Sequence, residues 1–267
     1  WLKPRQRPQP GRSSHKTTMA MSDLWSLPSN VEWCEAQTHP FRHSARIAEF
    51  WNTVSNGAFL VAGILGLCRA ARQRLPSAFF FTDAMLVIVG CGSALFHAKR
   101  TYIGEVLDEL PMSALAFGYL LCLDKMHWMT SPPFRTRCYV AVAMLVATAW
   151  TCYLVLHKHN LFIGLFTFQV LFPALISLRA VPSAGGAFAA RRSLWWAFLA
   201  AIAVGKGSWE AERWLHRSGA CPAAPSDPRF WLHPTWHVMS AVAHVAWMQY
   251  AAGLIRCHHE TAGKKSS

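Results

Sequence analysis

Seven apolar runs, each close to the ~20 residues that an α-helix needs to cross a bilayer, constrain this chain more than any other feature. They lie roughly over 47–68, 79–98, 105–123, 138–157, 160–178, 194–215 and 234–255. Backbone polar groups in hydrocarbon must be satisfied within a helix or a closed barrel. The runs are too long for barrel strands and lack their alternation, so helices are expected. Composition agrees: the 267 residues are 53% hydrophobic and only 15% charged, against about 25% charged in soluble chains. The expected fold is all-α, an integral membrane bundle of seven transmembrane helices spanning 29–257. Residues 1–28 are expected to be a disordered basic tail, carrying Lys3, Arg5, Arg7, Arg12 and Lys16 with no acid before Asp23. Residues 258–267 are expected to be a short cytosolic tail.

The formal net charge of +13 raises nucleic acid as a partner. The basic residues, however, sit in short connections between apolar runs, where anionic lipid headgroups are the better match. No zinc-finger or RNA-binding signature is present, so no nucleic-acid partner is expected. One set of connections holds twelve Lys and Arg residues and the opposite set eight. The positive-inside rule then places the C-terminus in the cytosol and the N-terminus outside it. Ten of the thirteen acids gather at the non-cytosolic end, which suggests a cation site there.

Ionisable groups inside a membrane are costly and therefore candidates for function. Ser93 and His97 lie four apart near the end of the second run and share a helical face. His233 and His237 repeat that spacing at the start of the seventh, and Asp108 opens the third. Antiparallel succession brings all five to one membrane depth. A lone HxxxH is more often incidental, and a helical Ser commonly bonds its own backbone. The shared depth is what makes a site of them. Three imidazoles leave zinc one open position for water, from which a carbonyl can be attacked. Ser93 is placed to stabilise the developing oxyanion, and Asp108 to carry a proton from water to leaving group or to orient an imidazole.

Other polar residues read more plainly. His244 is expected to make a polar contact between helices, His216 to be interfacial and His159 to sit in a loop. Lys206 should pair with an acid or snorkel, and Glu210 and Glu212 should lie at the interface, with lining the site as the lesser alternative. Before the first run, Glu32, Glu35, Gln37 and Glu49 offer oxygen ligands to a hard cation such as calcium, although no EF-hand spacing is present. The plainer alternative is an interfacial turn anchored by Trp33 and Trp51. Cys34 and Cys221 fall at the same face, where a disulfide is feasible in an oxidising lumen; free thiols are the alternative.

Three blocks carry a family resemblance. Glu32-Trp33-Cys34-Glu35 followed by Ile47-Ala48-Glu49-Phe50-Trp51-Asn52 is similar to the opening of alkaline ceramidases. Gly92-Ser93-Ala94-Leu95-Phe96-His97 followed by Leu107-Asp108-Glu109-Leu110-Pro111, and then His233-Pro234-Thr235-Trp236-His237, resemble later helices of that family. The resemblance implies an enzyme that hydrolyses ceramide, phytoceramide or dihydroceramide to a sphingoid base and a fatty acid. It implies zinc on His97, His233 and His237, with Ser93 and Asp108 catalytic. It also implies calcium near Glu32, Glu35, Gln37 and Glu49 with the Trp33 carbonyl, and a Cys34–Cys221 disulfide. The expected address is the endoplasmic reticulum or Golgi membrane. The family usually has Asp at position 32 and Asn at position 37, so this chain departs from the calcium pattern but not from the zinc pattern. The wider superfamily also holds adiponectin-type receptors and lipid-remodelling esterases of GPI anchors, the rival readings. A transporter is disfavoured because paired discontinuous spans are lacking.

Overall fold

A computed structural model describes residues 26–38, 40–41, 43–123, 132–156, 159–178 and 186–265. Most of the expected basic tail, 1–25, lies outside these residues. So do Arg42, Asp124, Lys125, Lys158 and Arg179, which enter the charge count, and His39 and His157.

The described chain is helical: α1 Cys34–Thr38, α2 Phe50–Ser55, α3 Gly57–Arg72, α4 Ser77–Lys99, α5 Tyr102–Leu121, α6 Pro132–Leu156, α7 His159–Ser177, α8 Gly186–Ser218 and α9 Leu232–Lys265. A 3-10 turn over Pro228–Trp231 leads into α9. Each apolar run overlaps one of the long helices, to within a few residues at its ends, the first shared between α2 and α3. Among the described residues, four stretches are long and apolar enough to cross a membrane: Phe50–Arg72, Ser77–Lys99, His159–Ser177 and Pro228–Arg256. α5 differs from these in carrying three acids, Glu105, Asp108 and Glu109. Helix α9 continues as far as Lys265, so the segment expected as a tail is helical over most of its length. Among the described residues the one β-bridge joins Pro28 to Thr101; the packed part therefore begins ahead of residue 29.

α4 packs between α3 and α5, α5 meets α7, and α9 lies along α8 and α3. Buried aromatic side chains such as Phe79, Phe198, Trp247 and Tyr250 fill the middle. Outward faces carry Val61, Leu65, Met144, Val155 and Leu175, all exposed. Apolar surface of that kind suits lipid as the surrounding solvent.

A tight turn between α4 and α5 positions everything that follows. Arg100 ends α4 in the left-handed region, φ 53°. Thr101 then caps α5, its side chain accepting from the Gly104 amide at 3.2 Å, a favourable N-cap arrangement. The N-terminal segment docks on this turn through Ser29 N–H to Arg100 O, 3.1 Å, and Tyr102 N–H to Leu27 O, 2.9 Å. Next, Ala48 and Glu49 donate their N–H groups to the carbonyls of Ala98 and His97, at 3.0 and 3.1 Å. Those carbonyls belong to the last turn of α4, where intrahelical partners run out.

Candidate metal centre and active site

His97 ends α4, and His233 and His237 stand one turn apart at the start of α9. Their side chains meet in the interior, each almost fully buried. One nitrogen from each lies within 4.8 Å of the others, and the Nε2 atoms of His97 and His233 are 3.2 Å apart. Tetrahedral zinc at about 2.0 Å from each nitrogen spaces its ligands by roughly 3.3 Å, so the trio is set for such an ion with modest adjustment.

The other face of each ring supports that reading. Nδ1 of His97 meets Glu49 Oε2 at 2.5 Å. Nδ1 of His237 meets Ser55 Oγ at 2.7 Å. Nδ1 of His233 stands 3.1 Å from Glu212 Oε2, at ion-pair distance but not aligned as a hydrogen bond among the described residues. Bonded partners on Nδ1 of His97 and His237 are the arrangement that orients metal-binding histidines. Glu212 is held in turn by the Cys34 amide, 3.0 Å, and Glu49 by the Asn52 side-chain amide, 3.1 Å.

Ser93 and Asp108 lie beside the trio and close to one another. Both line a small cavity together with His233, His237, Phe59 and Met112. Their approach depends on Gly92 and Pro111. Proline has no N–H for the carbonyl four residues back, which here is Leu107. That carbonyl faces Gly92 of α4, where an added Cβ would run into it. Close backbone contact at 92 and 107 places the next residues of both helices, Ser93 and Asp108, against each other.

The N-terminal acids are arranged differently. Glu35 is buried, and its carboxylate accepts from the Trp51 and Asn52 amides at 2.8 and 2.9 Å. Burial pushes its carboxyl up, and the two N–H donors pull it the other way. Glu32 is exposed and pairs with Arg100, 2.6 Å. The Arg100 guanidinium also stands 3.5 Å from Glu49. The Trp33 carbonyl accepts from the Gln37 amide at 3.3 Å, and the Gln37 side chain is exposed. Glu35 and Glu49 are thus both buried near His97, with Arg100 as the resident cation. Cys34 and Cys221 form a disulfide with Cα atoms 5.2 Å apart.

Sequence reasoning missed Ser55 and Glu212 as partners of the histidines. The available signal was chemical: Glu212 is an acid inside an apolar helix and is 2% exposed. Glu210, two residues away on another face, instead pairs with Lys206 at 2.5 Å. His244 bonds Asp83 at 2.8 Å and Tyr119 at 3.2 Å, the inter-helix contact expected of it. His159 stands at the start of α7, and its ring meets Glu109 at 2.7 Å.

Fold and site together define a helical protein with apolar outer faces and a buried three-histidine centre beside a Ser–Asp pair. The ceramidase family profile matches residues 26–267, and the chain belongs to that family, whose members hydrolyse the amide bond of ceramide. It is 30% identical to alkaline ceramidase 1 of Mus musculus over 142 residues, spanning 51% of either chain. It is 27% identical to an alkaline ceramidase of Arabidopsis thaliana over 222 residues, 82% of this chain and 81% of that one. A third relative, an alkaline ceramidase of Saccharomyces cerevisiae, is 34% identical over 95 residues, covering 36% of this chain and 28% of its own.

Proposed function

We propose that the chain is an intramembrane zinc amidase that cleaves ceramide, phytoceramide or dihydroceramide. One observation carries the reading: three converging imidazoles stand beside Ser93 and Asp108 in a buried cavity. Below it lies an apolar cavity that shares Phe59, Met112 and Trp236 with the first and continues past Leu86, Leu115 and Val170. A polar reaction centre above an apolar slot suits a lipid amide.

His97, His233 and His237 would hold zinc, which supplies a Lewis acid to polarise the carbonyl and acidify the attacking water. Asp108 takes the proton from that water as its oxygen bonds to the carbonyl carbon. It then returns the proton to the amide nitrogen as the C–N bond breaks. Ser93 donates to the developing oxyanion and, between turnovers, holds Asp108 in position. Glu49, Glu212 and Ser55 fix the imidazoles.

The reading includes seven spans, a lumenal N-terminus and a membrane of the endoplasmic reticulum or Golgi. It also includes calcium on the N-terminal acids. Glu35 and Glu49 offer buried oxygen donors of the kind a hard cation takes, with Glu32, Gln37 and the Trp33 carbonyl at the rim. Arg100 competes for Glu32 and Glu49. Calcium added to chelator-treated protein should raise the melting temperature, and more so in Arg100→Gln. No shift in either protein would mean that Arg100 alone neutralises these acids.

The deciding experiment measures ceramide hydrolysis and metal content on one detergent-purified sample, beside His233→Ala and Asp108→Asn. The expected result is free sphingoid base from the wild type, loss of zinc and activity in His233→Ala, and loss of activity with zinc retained in Asp108→Asn. Zinc without cleavage of any ceramide would favour a receptor. Cleavage of a phospholipid or GPI anchor instead would favour the esterase reading.

A further inference from the structure

A second group of metal-binding side chains lies outside the histidine trio. Glu105 and Glu109 stand one turn apart on α5, and His159 reaches them from the start of α7. One ligand atom from each falls within 4.8 Å of the others. Glu105 and Glu109 are buried, at 1% and 5% exposure. Two carboxylates held this close away from water need a neutralising partner.

Hydrogen bonding accounts for Glu105 but not for the rest. Glu105 Oε1 accepts from the Tyr153 hydroxyl at 2.8 Å, and Oε2 from the Asn30 amide at 2.6 Å. Tyr153 also lies beside Glu109, but a phenol has one proton, and it goes to Glu105. Among the described residues, Glu109 Oε2 and both ring nitrogens of His159 have no hydrogen-bond partner. The His159 Nδ1 to Glu109 Oε1 distance of 2.7 Å is thus a contact that is not aligned as a hydrogen bond. Buried groups left unpaired in this way call for an explanation, and a cation among them is one.

We infer that Glu105, Glu109 and His159 form a second metal site, for a first-row divalent ion of the zinc or manganese class. One imidazole and two carboxylates are the donors such ions accept. Tyr153 and Asn30 supply the outer support that orients a ligating carboxylate. There is also an entry path: His159 lines an open outer cavity of about 500 Å³ with Asn160, Arg213 and His216. His159 and Glu109 line the reaction cavity as well. The ion would tie the N-terminal segment, α5 and α7 together beside Asp108, which stands between Glu105 and Glu109 on α5.

The test is metal content of the full-length protein, loaded with Zn2+ and, separately, with Mn2+, then passed over a chelating resin. Wild type is compared with Glu109→Gln, His159→Gln and His233→Ala, so that adventitious sites elsewhere cancel in the difference. Glu109→Gln is nearly isosteric; should it fail to fold, His159→Gln reads the same site. The expected outcome is loss of one ion per chain in Glu109→Gln or His159→Gln, with the ion lost in His233→Ala still present. Metal content equal to wild type in both Glu109→Gln and His159→Gln would overturn the site and leave a proton shared between the carboxylates. A wild type that loses nothing on His233→Ala would instead count against the histidine centre alone.

Discussion

Gly92 shows how one residue can set a reaction geometry that it does not touch. Its missing Cβ admits the Leu107 carbonyl that Pro111 leaves without a helical donor, and the neighbours of that contact are Ser93 and Asp108. Gly92→Ala inserts a methyl group against backbone, which cannot rotate away. Overpacking of this kind costs about 1–3 kcal/mol. We expect a lower melting temperature and at least a tenfold loss of ceramide hydrolysis, with zinc content unchanged because the histidines sit elsewhere on the helices. Wild-type turnover in Gly92→Ala would mean that the Ser–Asp approach tolerates a shift between α4 and α5. The outer partners of the histidines make a second residue-scale case. Glu212→Gln and Ser55→Ala should each weaken zinc affinity by about 10–100-fold, read by competition with a chelator of known affinity. Unchanged affinity in both would show that the imidazoles are oriented by packing alone.

At the scale of elements, the N-terminal segment reaches the centre from two directions. Its backbone docks on the end of α4 at 97–98, bringing Glu49 to His97. Its short helix α1 is bonded through Cys34 to Cys221 beyond α8, and the Cys34 amide holds Glu212, which faces His233. Reducing the disulfide should therefore do more than lower stability. A bridge closing a long loop contributes about 2–5 kcal/mol, and its loss should also loosen zinc by freeing Glu212. Cys34→Ser is expected to show a lower melting temperature and faster zinc release to a chelator. A lower melting temperature with unchanged zinc release would separate α1 from the centre. The histidine trio was legible in the sequence because each spacing lies within one helix and all fall at helix ends of the same parity. Ser55, Glu49 and Glu212 were not legible as its partners, since α2, the segment before it and α8 are brought together only by tertiary packing. The same limit hid the cluster at Glu105, Glu109 and His159: one member was read as a loop residue because α7 begins at His159 itself. The N-terminal acids were legible as a group but not as partners of Arg100, Trp51 and Asn52.

For the whole molecule, crossing number and site geometry constrain each other. Cys34 precedes the first span and Cys221 follows α8, yet the two are bonded, so an even number of crossings must separate them. The four most apolar stretches place only three crossings between them, Phe50–Arg72, Ser77–Lys99 and His159–Ser177, which would leave the cysteines on opposite sides. The histidines repeat the argument. His97 ends the second crossing and His233 opens the last, and their rings meet. If those four stretches cross, α5, α6 and α8 must together add an odd number of crossings, and all three crossing is the proposed arrangement. α5 is less apolar because it carries Glu105, Asp108 and Glu109, and such residues are the common exception within spans. In the proposed arrangement an odd total puts the two termini on opposite sides, with the disulfide side facing an oxidising lumen. In sealed microsomes, a flexible insert carrying an Asn-Ser-Thr acceptor between Ala224 and Pro225 should be glycosylated. A C-terminal epitope on the same molecule should be removed by external protease. Glycosylation with a protected epitope would put both on the lumenal side, give an even count of crossings, and mean that α9 does not cross.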